Sequence, residues 1–424
     1  MQSSNRLFLW SALVLAAACG GSSNGNVNAG YDPNCKPASG NTLNTSCNPG
    51  FTQQAPNKAG SIQVTFSGEQ LGELTGLTFD PSVTNPNLAT QFVDGWSMQF
   101  DELLVVLGNF RLSPGATQYS SQSTLNAAVA TKVGPYVVDM HNPPHDFTAA
   151  AGEPAGALFK WDTQDSGQAF DTSVRYAFSY DTLQAKYPVA NVNLTSAQQA
   201  DYDMMVTNGW SKLYRGTATF VGNPNAGTYP NKAKFDLMPQ TVKFFFGFND
   251  AASLINCVNP SNSGATGGDD LAARGVQPSP TGAVTAQVTM HVDHLFWDRL
   301  IIHGQPLRFD PIAAWAPASA ATTAVDLRSI LLTPTGGRSV AATFSDGTPM
   351  NDRGPIMWPA FTTDMTASGG NVVYDRQGVP TVNVPDLINF MVFSTQTQMH
   401  LNADGLCYTV GQHPNDPYFT PNIH

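Results

Sequence analysis

The sequence predicts a mainly β protein, an antiparallel β-sandwich-like body with long loops and few short helices. Three observations predict it: apolar residues recur with period two over many short segments, turn formers cluster between them, and only two stretches carry helical text. Strand text begins at Ser61 to Phe66. In the next run Trp96, Met98, Phe100, Leu104, Val106, Phe110 and Leu112 share one parity, opposite Ser97, Gln99, Asp101, Asn109 and Arg111. Leu103, Val105 and Leu107 make the second parity apolar too, so the middle of this run should be covered on both faces. The run is long for one strand, and a break or bulge is expected near Asp101-Glu102.

Further strands are expected at Tyr136 to Met140, Val174 to Tyr180, Gly216 to Val221, Thr241 to Phe248, Val284 to Val292, Val340 to Phe344 and Phe390 to Ser394. Asn223-Pro224-Asn225, Asp346-Gly347 and Ser368-Gly369-Gly370 supply turns between several of them. Helical text is confined to Thr195 to Val206 and His294 to Ile302, and Asn256 to Gly275 reads as a long surface loop anchored by Cys257. No fixed-period repeat argues for a propeller or solenoid. Residues 61–424 thus form one large domain or two packed β subdomains.

Composition bounds the function. At 42% hydrophobic and 12% charged, the 424-residue chain carries enough apolar side chain to fold, which excludes a disordered class. Twenty Lys and Arg against 31 Asp and Glu leave a net charge of -11, which opposes the counterion release that drives nucleic-acid binding. The 37 glycines and 30 prolines follow no triplet period, so they mark turns and not a collagen-like helix.

The N-terminus reads as an export signal: Arg6, an apolar run from Leu7 to Leu15, then Ala16-Ala17-Ala18-Cys19. The apolar run is shorter than the ~20 residues a spanning helix needs. The small residues ending in cysteine resemble the lipobox of bacterial lipoprotein signal peptides, although Ala16 stands where that pattern prefers Leu. The resemblance implies cleavage after residue 18 and lipidation of Cys19, with the lipid as membrane anchor. Gly20, in place of Asp, implies the outer membrane. Residues 19–60 are rich in Gly, Ser, Asn and Pro and read as a flexible tether.

Four cysteines remain, Cys35, Cys47, Cys257 and Cys407, an even number suited to an oxidising compartment. Three pairings are open. Short-loop closure favours Cys35 with Cys47, leaving Cys257 with Cys407. A four-thiolate metal site would usually carry a C-x-x-C spacing, and none exists.

Standard catalytic motifs are missing, and the G-x-S-x-G string from Gly21 to Gly25 lies in the tether, where no strand-turn-helix can hold a nucleophile. Neither Asp101/Glu102 nor Asp269/Asp270 makes a convincing acid/base pair. The unusual feature is histidine: five of the eight fall in two segments, His141 with His145, and His291 with His294 and His303. On an extended strand His291 and Asp293 would share the polar face ~6.5 Å apart, near enough to share a metal. Asp293 would then cap a helix in which His294 neighbours Asp298. His141-Asn142-Pro143-Pro144-His145 offers two more imidazoles on a proline-stiffened turn. Imidazole with carboxylate suits zinc or copper(II) better than calcium. His400 and His413, flanking Cys407, read as exposed, and the tryptophans as core.

The stretches Asp94 to Asp101, Leu254 to Pro260 and Thr289 to Asp298 resemble segments of large uncharacterised bacterial secreted lipoproteins, a likeness that covers most of residues 60–414 and implies no particular activity. In general plan the histidine-bearing β body is similar to the methanobactin-associated MbnP-like periplasmic copper proteins, which implies copper without assigning any ligand here. The resulting expectation is a lipid-anchored envelope binding module, not a turnover enzyme, with a metal site of His291, Asp293 and His294 joined by His141 or His145. The competing expectations are a surface module for an envelope protein or glycan, and an envelope hydrolase.

Overall fold

The computed structural model describes residues 58–79, 92, 95–115, 126–149, 152–222, 239–260, 274–296, 309, 312–313, 316, 324–326, 391 and 395–410. The expected export signal, Cys19, the expected tether up to residue 57, the expected Cys35/Cys47 pair, the strand expected at Val340 to Phe344, Trp297, Asp298, His303 and His413 lie outside them. Of the strand expected at Phe390 to Ser394 only Met391 is described, and it is helical. An apolar run that short does not distinguish helix from strand by its periodicity.

In chain order the strands are β1 (Ile62–Ser67), β2 (Trp96–Pro114), β3 (Ala130–Lys132), β4 (Tyr136–Asp139), β5 (Phe147–Thr148), β6 (Pro154–Trp161), β7 (Tyr176–Thr182) and β8 (Ala190–Asn191). After the helix α1 (Gln199–Asn208) come β9 (Lys212–Phe220), β10 (Thr241–Phe248), β11 (Ala252–Ile255), β12 (Val284–Met290), β13 (Val325–Asp326), β14 (Met399–Leu401) and β15 (Tyr408–Val410). Among the described residues they build a smaller sheet, β14-β12-β1-β6-β5, and a larger one, β13-β10-β9-β2-β7-β11-β15, with β3 and β4 also on β2 and β8 on β4. The mainly β, sandwich-like class holds, but the sheets are mixed. β1 with β12, β4 with β8, and β10 with β13 run parallel. Alternation of apolar residues carries no strand direction, and β1 and β12 are too far apart in sequence for a hairpin to impose one.

β2 shows how the sequence writes both faces. Its odd positions Leu103, Val105 and Leu107 enter the main core with Phe110 and Leu112. Leu104 and Val106 point the other way, into a second core under α1 made with Tyr202, Met205, Trp210 and Leu213. The expected break falls between Phe100 and Glu102, where the pairing of β2 with β9 slips register. One residue out of register restores an apolar contact on each side of the bulge.

The helix expected over Thr195 to Val206 is a 3₁₀ turn, Ser196–Gln198, continuing into α1. The Thr195 N–H donates to Gln198 Oε1 at 2.8 Å, and the helix stops at Gly209, whose φ of 66° is the left-handed value that glycine accepts at least cost. Trp96, Trp161 and Trp210 are all buried, as core tryptophans should be. Cys257 and Cys407 form a disulfide across 150 residues, which ties the chain just after β11 to the start of β15. No helix among the described residues is long and apolar enough to cross a membrane.

Candidate metal centre

The smaller sheet positions the site. β1 and β12 run parallel and finish level, Ser67 opposite Thr289, while β14 starts beside them with Met399 opposite Met290 and His400 opposite Thr289. One end of this sheet therefore gathers His291, just past β12, and His400, inside β14.

Past Met290 the chain does not stay extended. Val292–Phe296 winds into a 3₁₀ turn, opened by an i to i+3 bond from His294 N–H to the His291 carbonyl at 3.4 Å. At about three residues per turn, positions 291 and 294 come to the same side. A strand would have sent His294 to the opposite face from His291. Ligand atoms of His291, Asp293 and His294 consequently all lie within 4.8 Å of one another. Val292, Leu295 and Phe296 are fully buried and fix the turn against the core. Asp293 thus sits inside the turn and does not cap a helix.

His400 completes a group of three rings. Its centroid lies 4.0 Å from that of His291 and 5.2 Å from that of His294, and His291 and His294 are 5.6 Å apart. The expectation that His400 is exposed fails: it is 3% exposed. Pairing of β14 with β12 buries it, and the sequence around Cys407 gives no local sign of that pairing. Tyr180, buried in the larger sheet, donates its hydroxyl to the His400 carbonyl at 3.0 Å.

His141 and His145 are not in the converging group. His141 follows β4, a strand of the larger sheet, and its Nδ1 lies 2.7 Å from the Gly72 carbonyl, while Asp139 accepts its backbone N–H. His145, beyond the two prolines, is exposed.

Outer contacts orient the rings. His291 Nε2 lies 3.2 Å from the Ala403 carbonyl and 3.3 Å from Glu69 Oε1. A carbonyl can only accept, so Nε2 carries a proton and a neutral ring keeps its lone pair on Nδ1. His294 Nδ1 lies 3.2 Å from Thr397 Oγ1, and His400 Nε2 lies 3.0 Å from the Thr397 carbonyl. Imidazoles that hold metals commonly have this outer shell of carboxylate and carbonyl. Burial by itself would push the His291 pKa down. The hydrogen bond and charge of Glu69 outweigh it, with help from Asp293 and the Ala403 carbonyl, and hold it up at about 9. Burial raises the pKa of Asp293, against the charge of His291, and its Oδ1 has no hydrogen-bond partner.

Two groups facing His291 come from strained backbone. Glu69 has φ 55° and Ala403 φ 66°, left-handed values that cost a side-chain-bearing residue about 1 kcal/mol or more. Before Glu69, Gly68 cannot carry a side chain, because a Cβ there would sit 2.4 Å from the Met140 carbonyl oxygen.

A second buried polar group leans on the same segment. Lys212 and Asp250 form an ion pair with both side chains fully buried, and Lys212 Nζ also donates to the Thr395 carbonyl at 2.6 Å. Tyr214 donates to Gln398 Oε1, and the Gln398 carbonyl accepts the His291 N–H at 2.8 Å. Residues 395–400 therefore touch both groups.

Comparison of the chain with protein-family models, with curated proteins and with solved structures gave no match.

Proposed function

We propose that this chain is a lipid-anchored protein of the bacterial cell envelope, held in the outer membrane through Cys19, whose body binds one transition-metal ion, copper or zinc. The observation that carries the reading is the convergence of His291, Asp293 and His294 on a largely buried point, with ligand atoms within 4.8 Å of each other. Two imidazoles and a carboxylate are the donor set that zinc and copper(II) prefer. His400 is the neighbouring ring best placed to supply a fourth donor. Three features support a built site: the carbonyls and carboxylate behind the rings, the left-handed residues Glu69 and Ala403, and the unpartnered Oδ1 of Asp293.

Metal analysis of the purified full-length chain tests the proposal. After exposure to zinc or copper and removal of excess, one ion per chain is expected in the wild type and none when His291 and His294 are both replaced by Ala. A wild type that holds no ion, or the same content in both proteins, overturns it. The replacement His400→Ala separates ligand from bystander: as a ligand its loss weakens affinity by about tenfold or more.

A further inference from the structure

The loop between β14 and β15 joins the histidine centre to the disulfide. Within it Ala403 presents the carbonyl that lies 3.2 Å from His291 Nε2 and accepts the Thr289 hydroxyl at 3.1 Å. A few residues later Cys407 is bonded to Cys257, whose own N–H donates to the Phe178 carbonyl of β7 at 3.2 Å. One end of a short segment is thus fixed to the larger sheet while its middle faces a ring at the end of the smaller one.

Contacts on both sides brace this loop. Asn402 donates its N–H to the Gln287 carbonyl of β12, and its Oδ1 accepts the Gln287 N–H, each at 2.8 Å, while its Nδ2 donates to Asn259 Oδ1 at 2.8 Å. The Leu406 carbonyl accepts the Val258 N–H at 2.7 Å. Gly405 packs backbone to backbone: a Cβ there would sit 2.0 Å from the Leu401 carbonyl oxygen and 2.2 Å from that of Val258. Asn402 and Ala403, with φ 51° and 66°, are both left-handed. Two adjacent residues with side chains keep that conformation only where their surroundings impose it. Residues 257–259 supply part of those surroundings, and the disulfide is their covalent member.

Building on the transition-metal site proposed above, we infer that the Cys257–Cys407 disulfide is the clamp that makes the histidine centre competent, so that the chain holds its ion tightly only in the oxidised state. With the clamp closed, the Ala403 carbonyl keeps the proton on His291 Nε2 and leaves the Nδ1 lone pair to a metal. With it open, the left-handed pair relaxes, the carbonyl withdraws, and either nitrogen of the ring can carry the proton. Closure is a thiol–disulfide exchange: the two thiols pass two electrons and two protons to a disulfide-bearing oxidant, which departs as a dithiol. Tight metal binding therefore follows oxidation of this cysteine pair.

Zinc affinity and amide hydrogen exchange of the full-length chain, wild type against Cys257→Ala/Cys407→Ala, test it; alanine leaves no thiol at either position to take zinc itself. One zinc per wild-type chain is expected, bound more tightly than by the variant by about tenfold or more. The Leu401 and Asn402 amides, which donate to the Gly405 and Gln287 carbonyls, should exchange faster in the variant, with the fluorescence of the buried tryptophans unchanged. Equal zinc affinity in the two proteins overturns the inference and leaves the metal site, whereas a wild type that holds no zinc overturns both. Weaker binding with exchange at Leu401 and Asn402 unaltered also overturns it, since this loop would then not be the link. So does a variant that loses its tryptophan fluorescence altogether, because the bond would then hold the whole body and not this loop.

Discussion

Lys212 with Asp250, fully buried, and the histidines with Glu69, partly exposed at His291 and Glu69, both rest on residues 395–400, yet their charges are balanced differently. In the first group the lysine meets its counter-ion and a carbonyl inside the protein, so one charge cancels one charge even though Asp250 Oδ1 has no hydrogen-bond partner. In the second, Asp293 Oδ1 has no hydrogen-bond partner, and the ligand atoms of two rings and that aspartate lie within 4.8 Å of one another. On the proposed reading, the closed pair holds its neighbourhood in place and the open group is completed by a cation.

Breaking the closed pair should have the largest effect. Lys212→Met leaves Asp250 buried and uncompensated, and an expected loss of about 3–5 kcal/mol would be read from denaturant unfolding. Replacing Asp250 by Leu in the same chain should recover much of that loss. If the single replacement costs as little as a surface change does, Lys212 and Asp250 do not compensate one another.

The open group should respond to ions and not to such a swap. Zinc at a hundred times its dissociation constant is expected to stabilise the wild type by about 2.7 kcal/mol, seen as a rise in the thermal midpoint. The chain with His291 and His294 replaced by Ala should show no rise, and chelator should reverse the effect in the wild type. The Lys212→Met chain should gain as much from zinc as the wild type, since its own defect lies outside the ligands.

A smaller effect concerns a carboxyl away from both groups. Glu102, 5% exposed beside the bulge of β2, has its pKa raised to about 9 by burial, then by Asp201 and Asp139, against the pull of Arg215, which pairs with Asp201. The unfolded side chain releases its proton near 4.5, so between 4.5 and 9 the folded chain holds a proton that the unfolded chain has lost. The resulting stability is complete below that window and drains away as pH rises through it. A fall of about 2.6 kcal/mol from about pH 6 to about pH 8 is expected, flattened in Glu102→Gln. Denaturation at several pH values reads it, and an identical slope in the variant would show that Glu102 carries no proton at neutral pH.

Much of the frame was legible because it is local. β10 spans Thr241–Phe248 as its alternation predicts, the break near Asp101-Glu102 is a true register slip, and both parities of the middle of β2 find cores. His291, Asp293 and His294 could be named together because they are neighbours in sequence, although the turn and not a strand unites them. Glu69 and His400 were missed for the opposite reason. Each reaches the site through pairing with a strand far away in the chain, and no window of sequence contains a register. His141 and His145 looked equivalent to the others in composition, but β4 belongs to the other sheet.

The smaller sheet joins the beginning of the body to its end. Strand β1, centred among residues 62–67, lies against β12, and β12 lies against β14 at residues 399–401, while β15 a few residues later closes the edge of the larger sheet. The His400 ring and the Ala403 carbonyl therefore join His291, Asp293 and His294 only once β14 and the residues just after it have been made. A chain cut short before residue 399 would lack the strand that seats the third ring.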